Sequence, residues 1–156
     1  MILGEDQLNA LTSLKYFLNS SNPAISLIGY AGTGKTTVIK YFLEFLDNIK
    51  KPYVLCAPTH KAKIVLENAT DREGMTLHKL LSLSPNVEIF DLDLRDLKFL
   101  MGFVSLYPQN GVIICDEASM VNDDLYDLIL KNAKTFNTKI LFVGDNKQLK
   151  PVNAKM

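Results

Sequence analysis

The stretch GYAGTGKTT at residues 29–37 constrains this chain more than any other segment, because it fits the phosphate-loop pattern G-x-x-x-x-G-K-[ST]. Four residues fill the fixed positions of that pattern: Gly29, Gly34, Lys35 and Thr36. The apolar run at 25–28 predicts a buried strand before the loop, and VIKYFLEFL predicts a helix after it. This strand–loop–helix context favours a nucleotide site over the alternative, a glycine-rich turn that merely starts a helix.

The chemistry of this loop is phosphate binding. Glycines let the backbone wrap closely around an anion, so that successive N–H groups and the helix N-terminus point at it. Lys35 is expected to reach the β- and γ-phosphates, with its stem facing solvent in the empty site, and the Thr36 hydroxyl is expected to hold Mg²⁺. The remaining residues of the predicted cradle are Ala31, Gly32, Thr33 and Thr37.

Composition suits one globular domain. The chain has 156 residues, of which 47% are hydrophobic and 22% charged, so it can bury a substantial core. Its 17 basic and 17 acidic residues balance, so a nucleic-acid contact must come from local patches such as the six lysines between residues 35 and 63. Cys56 and Cys115 each end an apolar run and are predicted to be reduced, buried thiols. With no signal-like or membrane-spanning segment, the protein is expected to be cytoplasmic.

Strand-like and helix-like runs alternate along the chain. Apolar periodicity predicts strands at 25–29, 53–57, 112–115 and 139–143, and helices before residue 19 and at 35–47, 60–68, 77–83 and 122–135. Strands that are apolar throughout indicate an α/β fold whose parallel sheet is covered on both faces. Residues 84–110 break the rhythm; a small hairpin insert is favoured there, and a strand plus a helix is the alternative.

Two acids follow the apolar strand at 112–115. In a parallel sheet the carboxyl ends of the strands share one edge with the phosphate loop. Asp116 is therefore predicted to hold Mg²⁺, and Glu117 to orient and polarise the attacking water. The alternative is that this acid pair caps the helix at 122–135.

A third strand end lies at GDNKQLKPV, residues 144–152. If the strand at 139–143 lies beside the loop-bearing strand, the amide of Gln148 can approach the γ-phosphate and change partners when that phosphate leaves. The alternative is an ordinary GDN turn.

Together these motifs carry a resemblance. GYAGTGKTT, APTHKAK (57–63), TLH (76–78), DEASM (116–120) and GDNKQLKPV occur in the order seen in superfamily-one DNA helicases. The chain most resembles the Dda-like and RecD-like branch, which moves 5′ to 3′. The resemblance covers residues 7–152 and implies a RecA-like P-loop NTPase lobe that uses ATP and Mg²⁺ and acts on single-stranded DNA.

The resemblance also implies roles for individual residues. Gln7 resembles the family's adenine-reading glutamine; the alternative is an exposed residue in the first helical turn. Two segments resemble those that contact the single-strand backbone, and their side chains can grip phosphates without reading bases. The residues concerned are Pro58, Thr59, His60 and Lys61 in the first segment, and Thr76 and His78 in the second. For His78 the alternative is an ordinary surface or half-buried histidine.

The chain also departs from the family pattern. The family's motor has two RecA-like lobes, with an arginine finger supplied by the second, whereas GDNKQLKPV closes the first lobe. Arg72 and Arg95 are the only arginines, and neither lies in a finger-like motif. Residues 1–156 are therefore expected to be one lobe of a longer helicase, weakly active or inactive without the second lobe. The alternatives are a nucleotide-dependent binding module and a P-loop ATPase that does not act on DNA.

Overall fold

Five short apolar strands form one parallel sheet in the part of the chain that the structure, a computed structural model, describes: residues 3–29, 34–82 and 106–145. The strands are β1 (Ala24–Ile28), β2 (Tyr53–Ala57), β3 (Met75–Thr76), β4 (Val112–Cys115) and β5 (Lys139–Gly144). Their order is β1-β5-β4-β2-β3, and every pairing is parallel. The predicted α/β architecture is confirmed, and β5 does lie beside the loop-bearing strand β1.

Helices cover both faces of the sheet. They are α1 (Glu5–Phe17), α2 (Lys35–Asn48), α3 (His60–Thr70), α4 (Leu77–Leu80) and α5 (Asp123–Thr135). Alternate strand residues point to opposite faces. In β4, Ile114 packs in the core formed with α1, α2 and α3, whereas Ile113 packs in the core formed with α4 and α5. This three-layer arrangement explains why the strands have no polar face.

Most element boundaries match the prediction, with differences in the shortest pieces. The two-residue strand β3 was not predicted, and α4 ends at Leu80 where a helix to residue 83 was predicted. A short 3₁₀ turn, Ala118–Met120, precedes α5 and was not predicted. The predicted insert at 84–110 lies outside the described residues up to position 105.

Cys56 and Cys115 are free, buried thiols on adjacent strands. Their mutual hydrogen bond and their burial raise the pKa of Cys56 well above its usual value, so that the thiol stays protonated.

None of the helices within the described ranges combines the length and apolar character needed to cross a bilayer.

Arg72 ties together the edge of the sheet opposite the phosphate loop. Its guanidinium donates to the Tyr53 hydroxyl (2.9 Å), to Asp47 Oδ2 (2.8 Å) and to the Thr70 carbonyl (2.8 Å). Tyr53 in turn donates to Asp47 Oδ1 at 2.9 Å. The ring of bonds joins the C-terminal ends of α2 and α3 to the start of β2.

Replacing Asp47 by asparagine is expected to lower the free energy of unfolding by about 1 kcal/mol or less, since exposed ion pairs contribute little and the Asp47 side chain is 46% exposed. The hydrogen bond from Arg72 lowers the pKa of Asp47 below its usual value. That stabilisation is present above the unfolded-state pKa, about 3.9, and is lost as the pH falls through the lower folded-state pKa. Urea unfolding at pH 7 and pH 3 should therefore show a difference from wild type that shrinks in acid.

The matched control is Asp71→Asn, at an exposed left-handed position where asparagine is also tolerated. An Asp47→Asn effect that stays constant from pH 7 to pH 3 would contradict the ion-pair account.

Candidate nucleotide and nucleic-acid site

The last glycine of the phosphate loop lies at the N-cap of α2. Gly34 has φ 84°, a left-handed conformation that side chains rarely adopt, and a Cβ there would lie 2.0 Å from Gln7 Nε2. Gly29 continues β1, and its N–H donates to the Gly144 carbonyl of β5 at 3.3 Å. The predicted cradle residues Ala31, Gly32 and Thr33 lie outside the described residues. Thr36 and Thr37 lie in the first turn of α2, where backbone N–H groups face the helix start.

Lys35 contacts oxygen atoms at the ends of β1 and β5. Its ammonium donates to the Gly29 carbonyl and lies 3.0 Å from Asp145 Oδ1. The side chain is only 14% exposed, so the expectation that its stem faces solvent in the empty site was wrong. Both contacts hold the ammonium against the ends of β1 and β5.

Asp116 lies at the same edge, at the end of β4. Its N–H donates to the Cys56 carbonyl at 2.9 Å, and its Oδ1 accepts the Glu117 N–H at 2.9 Å. The pKa of Asp116 is raised above its usual value, mainly by burial. The hydrogen bond from Glu117 N–H and the charge of Lys35 lower this pKa, whereas the negative charges of Glu117 and Asp145 raise it further. A partly buried carboxylate is stabilised by a nearby cation, as a Mg²⁺ ligand is.

Glu117 is exposed and has a left-handed backbone, φ 53°. A non-glycine residue with positive φ is uncommon, and here it lies in the bend directly after β4. The alternative that the acid pair caps the following helix is not what the structure shows. Asn122 caps α5 instead, its Oδ1 accepting from Leu125 N at 2.8 Å.

Gln7 lies against the end of the phosphate loop. Its Oε1 accepts the Gly4 N–H at 2.9 Å, and its Nε2 reaches the Gly34 carbonyl at 3.4 Å. The side chain is thus half-buried and bonded, unlike the exposed first-turn residue of the alternative. Its position beside Gly34 suits a residue that contacts the nucleotide, while the predicted adenine contact stays a prediction.

The two segments predicted to contact nucleic acid meet at one edge of the sheet, because β2 and β3 pair through Ala57 and Thr76. Thr59 and Thr76 are the N-caps of α3 and α4, accepting from Ala62 N (3.1 Å) and Lys79 N (3.3 Å). Their hydroxyls act as acceptors in these bonds, so each hydroxyl hydrogen can still be donated.

The other side chains of these segments differ in exposure. His60 and Lys61 are exposed, and His78 is half-buried. Pro58 is buried, and its predicted nucleic-acid contact stays a prediction. Basic and hydroxyl groups therefore cluster on the edge that continues from the nucleotide site.

One site residue was missed by sequence reasoning. Asp145 follows β5 directly and pairs with Lys35, although 110 positions separate them. The signal available was an acid at the end of a strand expected beside the phosphate loop. Gln148, predicted as the γ-phosphate sensor, lies outside the described residues.

The chain is similar to known proteins over almost its whole length. The profile of the family described as AAA domain matches residues 3–156. The chain belongs to this AAA-domain family. One relative is the ATP-dependent DNA helicase dda of Enterobacteria phage T4, 33% identical over 96% of this chain and 33% of that protein. Another is the ATP-dependent RecD2 DNA helicase of Deinococcus radiodurans, 32% identical over 97% of this chain and 19% of that protein.

A third relative is the RecD subunit of the RecBCD enzyme of Buchnera aphidicola, 32% identical over 92% of this chain and 26% of that protein. This AAA-domain chain thus spans a third or less of the length of these curated relatives. The predicted resemblance to the first RecA-like lobe of Dda-like and RecD-like superfamily-one helicases is confirmed.

Proposed function

We propose that this chain is the ATP-binding lobe of an ATP-dependent DNA helicase, which couples Mg·ATP hydrolysis to 5′-to-3′ translocation on single-stranded DNA. One observation carries the proposal furthest: a single sheet edge presents both sets of predicted residues. Lys35 and Asp116 lie where β1, β5 and β4 end, and Thr59 and Thr76 lie where β2 and β3 end. The helicase names of the relatives support the same function.

The residues present fit a magnesium-bound triphosphate. Gly34 has a left-handed backbone that suits a close phosphate contact, and Thr36 lies in the first turn of α2. The half-buried carboxylate of Asp116 lies near the charge of Lys35. Thr36 and Asp116 would hold Mg²⁺, which when bound neutralises charge on the phosphates. Lys35 contributes a point charge to the phosphates, and Glu117 accepts the proton of an attacking water or orients that water.

Complete catalysis in this proposal needs a second RecA-like lobe as a partner. Phosphoryl transfer is commonly accelerated about 10³- to 10⁵-fold by an arginine finger. Arg72 is bound to Asp47 and Tyr53 at the opposite edge of the sheet, so it cannot serve the phosphates. Arg95 lies outside the described residues.

The DNA-binding part of the proposal is tested by replacing Thr59 and Lys61 with alanine. Single-strand binding is expected to weaken similarly for every base sequence, because phosphate contacts carry no sequence information. The slope of log K against log salt should flatten by about 0.7 for the lost Lys61 contact. Fluorescence anisotropy with oligo(dT), oligo(dA) and a mixed sequence, each at several salt concentrations, measures both effects.

Two controls accompany this test. Lys131→Ala removes an exposed lysine from α5, on the opposite face, and should leave DNA binding unchanged. The Lys61→Ala single variant keeps the Thr59 cap, whose loss alone costs roughly 1 kcal/mol of stability. Loss confined to one base sequence would contradict a backbone grip, and nucleotide binding with no DNA binding at all would favour a P-loop ATPase that acts elsewhere.

A further inference from the structure

Asp145, at the end of β5, forms an ion pair with Lys35 beside the neighbouring strand β1. Gly144, the last residue of β5, pairs with Ile28 of β1, so Asp145 lies across from the first residue of the phosphate loop. Its Oδ1 is 3.0 Å from Lys35 Nζ. An anionic oxygen therefore already contacts the ammonium that is proposed to receive a phosphate oxygen.

The two partners are held very differently. The Lys35 side chain is 14% exposed and also donates to the Gly29 carbonyl, whereas the Asp145 side chain is 68% exposed. Little packing keeps the carboxylate in place, so it can move into water while the lysine stays. Asp145 also adds negative charge near Asp116, in a site that must accept a polyanion.

We propose that Asp145 is a displaceable carboxylate. The polyphosphate of a nucleoside di- or triphosphate must displace Asp145 from Lys35 in order to bind, and Asp145 thereby weakens nucleotide binding. The inference rests on the proposed nucleotide site and assigns it a regulatory residue. The exchange makes and breaks no covalent bond, since one anionic oxygen replaces another on the Lys35 ammonium. A site that favours its own carboxylate when empty releases a diphosphate more readily than one whose lysine has no competing anion.

The opposite role is also physically reasonable, and it makes a different prediction. A carboxylate that holds Lys35 in the conformation that phosphate needs would be a positioning residue, and its loss would weaken binding. Loss of a displaceable carboxylate would instead strengthen nucleotide binding. The sign of the change in affinity therefore decides between the two.

The test compares Asp145→Asn with wild type in equilibrium binding of ADP, measured in excess EDTA so that no Mg²⁺ contributes. The variant should bind ADP about threefold to tenfold more tightly, the range expected for releasing a partly exposed ion pair and a nearby like charge. Adenosine, which has no phosphate, should bind equally to both proteins. Asp71→Asn, the same change at an exposed position at the end of α3, should alter neither affinity.

Thermal unfolding supplies a second readout. Without ligand, Asp145→Asn should melt slightly below wild type, because the ion pair with Lys35 is lost. With saturating ADP this order should reverse, because ligand stabilisation grows with affinity.

Weaker ADP binding by Asp145→Asn, unchanged ADP binding, or equal gains for ADP and adenosine would each overturn the proposal. If wild type binds neither ADP nor ATP, with or without Mg²⁺, the proposed nucleotide site itself is wrong, a result distinct from a failure of Asp145 alone.

Discussion

Replacing Glu117 by glutamine is expected to leave ATP bound while slowing its hydrolysis by about a hundredfold or more, the usual contribution of a positioned general base. Glutamine keeps the shape of the side chain but has no carboxylate to accept a proton. Because Glu117 is exposed and Asn122 caps α5, the substitution removes no structural hydrogen bond of that helix start. The left-handed backbone at Glu117 is equally demanding for both residues, so folding should change little.

The measurement is a single-turnover assay with ATP prebound, which registers even a slow basal rate, alongside equilibrium binding of Mg·ATP. A protein that joins this lobe to a second RecA-like lobe would allow the same comparison with single-stranded DNA added. Glu73→Gln is the matched control, an exposed glutamate just before β3, at the far side of the sheet from β1. If Glu117→Gln loses Mg²⁺ and nucleotide together, Glu117 is a metal ligand and the proton-accepting role passes elsewhere.

The fold class, a parallel sheet covered by helices, could be predicted because its strands are buried on both faces. Such strands appear in sequence as uninterrupted apolar runs, as VIIC and KILFV do, and the phosphate-loop motif fixes which one carries the nucleotide. The two-residue strand β3 could not be predicted, because two residues show no periodicity and pair only through Cys56 and Ala57.

Local side-chain partners in the site were harder to predict than the site itself. The contact between Lys35 and Asp145 depends on β5 lying beside β1, and the sequence alone does not establish that pairing. The covering of the Lys35 stem follows from the same pairing. The capping roles of Thr59 and Thr76 had a visible signal in the sequence, a threonine just before a helical run.

Replacing Lys35 by alanine is expected to abolish tight Mg·ATP binding without unfolding the domain. Truncating one member of a close charge pair costs about 2 to 5 kcal/mol of binding free energy, a loss in affinity of roughly 30- to several-thousand-fold. The structure refines this experiment, since the mostly covered stem and the bond to the Gly29 carbonyl give Lys35 a packing role as well. Lys35→Met therefore belongs beside Lys35→Ala, because methionine refills most of the stem without the charge.

Both variants should lose ATP affinity to a similar degree, whereas the alanine variant should show the larger decrease in melting temperature. Calorimetric titration with a slowly hydrolysed ATP analogue measures the affinity, and circular dichroism checks the fold. Unchanged ATP affinity in a folded Lys35→Met protein would remove the phosphate-loop assignment. That result would remove the displaceable-carboxylate proposal as well, because the proposal requires that the phosphates bind Lys35.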